Sequence, residues 1–322
     1  MARIVITDSN FGDLRHERAV AARHGAELEA CQCRTAAEVE EAVAGADAVL
    51  VQFAPMTEKA LAALAPGATV VRYGVGYDNI DIAAARRTAH PVAYVPDYCV
   101  DEVADHTVAM LLALYRKLIS LDQHVRVGSW RVVEAAQPLK PAADTVIGFL
   151  GLGRIGRAVL ARLQPFGFRI MAADPALDQP TAAQLGLTLS PFEEMLPQID
   201  ALLLHAPVTA ASRHIINADS LALLKPSAVL VNCSRGALID EAALAQALNQ
   251  GRLAGAALDV FETEPLPEAS PLRTAPNLLL SPHAAWYSDG AIDRLQFLAA
   301  DEVDRALSGR PPRSPVPNPA SE

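Results

Sequence analysis

The run Val146-Ile-Gly-Phe-Leu-Gly-Leu-Gly-Arg-Ile-Gly156 constrains this 322-residue chain most tightly, because an apolar strand, a glycine turn and an amphipathic helix follow one another without a gap. Gly151, Gly153 and Gly156 make G-x-G-x-x-G directly after the strand, and residues 155–166 supply the helix. In such a unit the first glycine permits the tight turn, the second lets a phosphate approach the backbone, and the third lets the helix pack on the strand. The amides at the helix N-terminus then receive a pyrophosphate. A second strand, Arg169–Ala173, ends in Asp174, eighteen residues beyond Gly156 and near the spacing at which a carboxylate binds the ribose hydroxyls of a dinucleotide. A carboxylate there repels a 2′-phosphate, which favours NAD over NADP.

A dinucleotide unit that begins near residue 146 leaves about 140 residues ahead of it, enough for a second compact body. There, strand-like runs at 3–7, 48–51, 69–73 and 92–95 alternate with alanine-rich helical stretches at 36–44 and 57–64. After Asp174 the rhythm resumes, with strands near 200–205, 228–232, 255–259 and 278–280. This alternation predicts an α/β chain of two Rossmann-like or flavodoxin-like parallel-sheet domains. The apolar spacing predicts one long helix over 102–126, a polar connection at 128–144, and a last helix from Asp289 to Leu307. Asp240 is placed to cap a helix over 241–249 that stops at Gly251. The proline-rich end, 310–322, reads as a tail without fixed structure.

Partners are narrowed by charge. With 27 basic against 37 acidic residues the formal net charge is −10, and no basic stripe interleaved with aromatics occurs, so nucleic acid is not the expected partner. No apolar run has the length of a membrane span, and the chain starts like a strand rather than a secretory signal, so a cytoplasmic protein is expected. The four cysteines supply neither a disulfide framework nor zinc-ligand spacing. Cys31-x-Cys33 reads as a pair of small packing residues, and no metal site is expected.

Three polar residues follow strands of the second half. Arg235 comes after Val-Leu-Val-Asn-Cys-Ser, Glu264 lies shortly past the strand ending at Asp259, and His283 follows Leu-Leu-Leu-Ser-Pro. Singly, each has an ordinary reading as a turn arginine, a solvated carboxylate and a helix-entry histidine. Together they suit hydride transfer between nicotinamide and the C2 carbon of a 2-oxo acid. A guanidinium binds the substrate carboxylate bidentately, an imidazole supplies the proton to the carbonyl oxygen, and a carboxylate orients the imidazole.

These residues stand within longer motifs. Asp-Asn-Ile-Asp81, Gly-Leu-Gly-Arg-Ile-Gly156, Ser-Arg-Gly-Ala-Leu-Ile-Asp-Glu241, Gly-Ala-Ala-Leu-Asp-Val-Phe-Glu-Thr-Glu-Pro265 and Ser-Pro-His283 together resemble the NAD-dependent D-isomer-specific 2-hydroxyacid dehydrogenases over residues 70–309. Val-Arg-Tyr-Gly-Val-Gly-Tyr-Asp-Asn-Ile-Asp81 and Pro-His-Ala-Ala-Trp-Tyr-Ser288 resemble the C-terminal-binding-protein branch of that family most. The resemblance implies a discontinuous substrate-binding lid domain, 1–100 with 287–322, around a central NAD-binding Rossmann domain, 101–286. It also implies Arg235, Glu264 and His283 as the catalytic set, and a substrate carboxylate met by Arg72 and the backbone of Val75 and Gly76. Trp286 would line the substrate pocket and favour an apolar or thioether side chain. NAD contacts implied with the glycines and Asp174 are Thr107, Arg154, Ile155, the loop Ala206, Pro207 and Val208, and Cys233 and Asp259 near the nicotinamide. A homodimer formed through the cofactor domains is the family habit. An alternative is an NADH-sensing, corepressor-like interaction protein with weak dehydrogenase activity. The third possibility, a formate dehydrogenase, pairs its histidine with glutamine, and Glu264 counts against it.

Overall fold

The computed structural model describes residues 1–317, which fold into two α/β units. One is formed by Met1–Tyr98 and the chain from Tyr287 onward, the other by Cys99–Trp286. No helix among the described residues is long and apolar enough to cross a membrane.

In the first unit β1 (Arg3–Ile6), β2 (Glu27–Ala30), β3 (Ala48–Val51), β4 (Thr69–Arg72) and β5 (Val92–Ala93) form a sheet of order β2-β1-β3-β4-β5, all parallel. β3 reads Ala-Val-Leu-Val and is buried throughout, as expected of an inner strand with both faces covered. Val5, Val49 and Val70 pack there against Val39, Leu61 and Ile80. β2 reads Glu-Leu-Glu-Ala, lies at the edge and is mostly exposed, so no hydrophobic pattern marks it in the sequence.

The expectation of an unstructured tail is corrected for its described part. Val316 N donates to Val92 O at 2.9 Å and Tyr94 N to Ser314 O at 3.1 Å, so the chain pairs beside β5. The Glu302 carboxylate receives the amides of Arg313 and Ser314 at 3.0 and 2.8 Å. Proline is compatible with such an edge because only alternate amides are needed for pairing. Residues 318–322 of that expectation lie outside the described residues.

The second unit holds β6 (Val146–Leu150), β7 (Arg169–Ala173), β8 (Thr188–Leu189), β9 (Ala201–Leu204), β10 (Val229–Asn232), β11 (Gly255–Leu258) and β12 (Leu278–Leu280). All pairs are parallel in the order β12-β11-β10-β9-β6-β7-β8. The strand order reverses at β6, which lies between β7 and β9. Such a switch point opens a crevice at the carboxyl ends of the strands. Asp240 caps its helix by accepting the Ala243 amide, and Gly251 beyond the C-terminus takes φ 64°.

The single helix expected over 102–126 is two, Val100–Tyr115 and Leu118–Arg126. Lys117 breaks them with a left-handed backbone, φ 56°. Neither glycine nor proline marks the break, so apolar spacing ran through it. The polar connection beyond contains a further short helix, Val132–Ala136.

Candidate active site

The glycine turn leaves β6 as the sequence requires. Gly151 has φ 85°, and a Cβ there would stand 2.8 Å from the Ala206 amide nitrogen at the exit of β9. A Cβ on Gly156 would meet the Gly151 carbonyl at 2.9 Å, whereas one on Gly153 would meet nothing within 4 Å. Two glycines are thus demanded by packing, and the third faces open space at the N-terminus of the helix Arg154–Leu163, which no side chain caps. An uncapped N-terminus beside an open glycine fits a dinucleotide pyrophosphate. At the end of β7, Asp174 turns back on this turn. Its Oδ2 accepts the Leu152 amide at 2.6 Å and its Oδ1 the Ala176 amide at 2.8 Å. Each oxygen keeps lone-pair capacity for a ribose hydroxyl.

The loop 206–208 borders the same turn. Just before it, the His205 ring stacks on Phe149 at 5.9 Å between centroids, and burial pushes its imidazole down to about 4, leaving it uncharged at neutral pH. Thr107 and Cys233 touch each other in the interior. The Thr107 hydroxyl donates to Val103 O at 2.8 Å, and burial pushes the Cys233 thiol up to about 12.

Arg235, Glu264 and His283 occupy loops after β10, β11 and β12. His283 Nδ1 lies 2.7 Å from Glu264 Oε2, and Glu264 Oε1 accepts the Phe261 amide at 2.9 Å. Burial by itself pushes the Glu264 carboxyl up. The hydrogen bond and charge of His283, the Phe261 amide and the Arg235 charge outweigh it and hold the group below the usual carboxylate range. Arg235 donates from Nη1 to Ser234 O at 2.7 Å. With Nδ1 held by Glu264, Nε2 is the nitrogen on the opposite side of the ring.

Asp259, expected as a cofactor contact, is fully buried and holds the loop of His283. Its Oδ1 accepts the Ser281 hydroxyl at 2.5 Å and the Ala284 amide at 2.8 Å, and its Oδ2 accepts the Ala285 amide at 2.9 Å. The Asp259 carbonyl accepts the His283 amide at 2.7 Å. His283 is thereby fixed at φ 52°, a left-handed conformation uncommon for a residue with a side chain. Half-buried Trp286 follows three residues later.

Sequence reasoning missed several positioning residues. A Cβ on Gly236 would fall 1.9 Å from the Phe261 carbonyl carbon, so the loop of Arg235 lies directly on the backbone leading to Glu264. Fully buried Asn232 accepts the Ser234 amide at 3.0 Å and donates to Arg235 O at 2.8 Å. His106 Nε2 lies 3.2 Å from Ser281 Oγ. The Arg-Gly pair was the one available sequence signal, because a glycine after a functional residue marks close backbone approach.

In the five-stranded unit, Arg72, Val75 and Gly76 lie on and just after the end of β4. The Arg72 guanidinium donates to Tyr73 O and sits 5.7 Å over the Phe53 ring. Phe53 is presented by Asp8, another residue missed in the sequence, whose carboxylate accepts the amides of Gln52, Phe53 and Ala54 at 3.0, 2.6 and 3.1 Å.

Residues 108–285 match the family model of the NAD-binding domain of D-isomer-specific 2-hydroxyacid dehydrogenases. The chain belongs to that family. It is 38% identical to a glyoxylate reductase of Korarchaeum cryptofilum over 238 residues, 73% of this chain and 71% of that one. It is 36% identical over 269 residues to a D-3-phosphoglycerate dehydrogenase of Mycobacterium leprae, covering 83% of this chain and about half, 50%, of that longer dehydrogenase. A solved NADPH-dependent glyoxylate/hydroxypyruvate reductase from Sinorhizobium meliloti superimposes with a TM-score of 0.80 at 32% identity, over 98% of this chain and 96% of that one. The dehydrogenase family thus supplies the reaction class, an NAD(P)-dependent oxidoreduction at a CH-OH group.

Proposed function

We propose that this dehydrogenase interconverts a small 2-oxo acid and its D-2-hydroxy acid, with Arg235, Glu264 and His283 as the catalytic set. The observation that carries the reading is the 2.7 Å pairing of His283 Nδ1 with Glu264 Oε2. It orients the imidazole, as delivery of a proton to a carbonyl oxygen requires. Arg235 would bind the substrate carboxylate, since a guanidinium presents two parallel donors to it. His283 Nε2 would give its proton to the C2 oxygen during reduction and take one back during oxidation. A bound nicotinamide dinucleotide supplies or accepts the hydride.

Gly151, Gly153 and Gly156, with Arg154 and Ile155, would hold the pyrophosphate, and Asp174 the adenosine ribose. The carboxylate charge favours NAD over NADP, unlike the NADPH-dependent relative. Ala206, Pro207 and Val208 would border the cofactor, with Thr107, Cys233 and Asp259 behind the nicotinamide. Residues 1–100 and 287–322 would bind substrate through Arg72 and the backbone of Val75 and Gly76, and residues 101–286 the cofactor. Trp286 would face the substrate side chain. Four free cysteines suit a cytoplasmic enzyme. Val127, Trp130 and Val133 are 82%, 88% and 68% exposed, apolar side chains that a second copy of the chain would cover.

The experiment is NADH oxidation across glyoxylate, pyruvate, hydroxypyruvate, phenylpyruvate and a 4-methylthio 2-oxo acid, with product chirality determined for every member but glyoxylate, whose product is achiral. Turnover of at least one member to the D-product is expected, and none with Arg235→Ala or His283→Ala. Inactivity on every member, or an L-product, would refute the reading.

A further inference from the structure

A carboxyl group is buried beneath the segment that leaves β4. Glu17, on the helix Arg15–His24, is 2% exposed, and Tyr73 donates its hydroxyl to Glu17 Oε1 at 2.8 Å. Gln296, on the helix Asp289–Leu307, approaches the same oxygen at 3.5 Å and donates to Asp13 O at 2.5 Å. Tyr73 is itself 1% exposed, meets Phe11 edge-on at 5.1 Å between centroids, and donates its amide to Val51 O at 2.8 Å. Two helices and the end of β3 therefore converge on one tyrosine, which stands between Arg72 and Gly74.

Stability is a poor account of this pair. Glu17 Oε2 is buried without a hydrogen-bond partner, which is costly, whereas apolar groups of the same shape on both sides would be nearly neutral. Burial pushes both the Glu17 carboxyl and the Tyr73 phenol up, so the phenolic proton stays on Tyr73 as the donor. What the pair does fix is the Tyr73 peptide. The Tyr73 carbonyl is the acceptor of the Arg72 guanidinium, and the chain after it turns at once through Gly74, φ 138°, into Val75 and Gly76. Any rotation of Tyr73 moves that acceptor and those amides together.

We propose that Glu17 and Tyr73 are positioning residues that hold the segment 72–76 in the geometry needed to bind the substrate carboxylate. This rests on the reading that Arg72, Val75 and Gly76 make that contact. Neither Glu17 nor Tyr73 touches substrate, so their effect belongs in substrate affinity rather than in the chemical step.

The test uses the full chain, with the most active 2-oxo acid of the panel and NADH. Tyr73→Phe is expected to raise KM about fivefold to tenfold with kcat nearly unchanged, the signature of lost uniform binding. Its Kd for NADH, read by fluorescence titration, should not change. Glu17→Leu should do the same, and Glu17→Gln, which keeps an acceptor for Tyr73, should restore the original KM. The double variant Glu17→Leu/Tyr73→Phe separates the two roles, because its thermal midpoint should recover while its KM stays raised. A double variant that recovers KM along with stability would make the pair merely structural and overturn the proposal. Arg72→Met tests the underlying reading. If it leaves KM unchanged, that reading falls and the proposal with it. If it raises KM while folded Tyr73→Phe does not, the proposal alone falls.

Discussion

Gly236 and Phe261 approach so closely that a Cβ on the glycine would stand 1.9 Å from the Phe261 carbonyl carbon and 2.1 Å from its oxygen. The loop carrying Arg235 and the loop carrying Glu264 are therefore one packed unit, with backbone rather than a flexible side chain as the obstacle. Gly236→Ala is expected to destabilise the protein by at least about 1–3 kcal/mol, the usual cost of overpacking. It should also lower kcat/KM by about 100-fold, since misplacement of reacting groups by about 1 Å has effects of that size. Urea unfolding and steady-state kinetics on the same preparation check both. A variant with normal activity and stability would mean that the two loops can separate freely.

Asp259 fixes the left-handed turn of His283 through two different oxygens, which makes even an isosteric replacement harmful. Asparagine offers one acceptor oxygen and one NH2 group, so either the Ala285 amide or the pair Ser281 hydroxyl and Ala284 amide would face an NH2 group. Asp259→Asn should cost about 1–3 kcal/mol for the unsatisfied buried donors. kcat should fall with it, by about tenfold to 100-fold, as His283 leaves its conformation. Chemical denaturation and single-turnover kinetics read the two effects separately.

Glu264 gives a pH signature whose sign follows from its depressed pKa. Because the folded protein holds this carboxyl below the ordinary value of 4.5, the pairing with His283 stabilises the fold fully above that value. The contribution is lost as pH falls through the lower, folded value. Glu264→Gln should therefore be less stable than the original at neutral pH, and the two denaturation midpoints should converge below pH 4.5. kcat should drop by about tenfold to 100-fold, in line with loss of support for a general acid. A stability gap that does not depend on pH would detach the effect from the carboxylate charge.

The strand-turn-helix unit around Gly151 and the order Arg235, Glu264, His283 were legible because each rests on local chemistry, a glycine at a forced φ or a polar residue at a strand end. The inner strands of the second unit were readable for a related reason, since parallel strands such as Ala201–Leu204 are apolar throughout, whereas the two-residue edge strand Thr188–Leu189 was not foreseen. What escaped depends on distant partners. β2 carries no pattern because it is an exposed edge, and the break at Lys117 interrupts an apolar periodicity that continues on both sides of it. Asp8 and Asp259 look like ordinary acids following strands until the amides they collect are placed around them. Gly236 was visible only as the neighbour of an arginine, since the backbone that excludes a side chain lies 25 residues further on. The proline-rich end was misread because composition alone does not report that Val92 and Glu302 offer its amides acceptors.

Cofactor choice can be tested at Asp174, provided its two duties are separated. The carboxylate holds the turn, through Leu152 N at 2.6 Å and Ala176 N at 2.8 Å, and it would also repel a 2′-phosphate. Asp174→Ala removes both at once, so weaker NADH binding in that variant would be ambiguous. Asp174→Asn removes the charge and keeps one acceptor for the turn. If charge sets the preference, Asp174→Asn should lower the ratio of kcat/KM for NADH over NADPH by about tenfold, corresponding to ~1.4 kcal/mol of differential binding. Most of that change should come from improved use of NADPH. If instead the ratio changes only through loss of NADH in both variants, the acid acts on the turn alone and another group selects the cofactor.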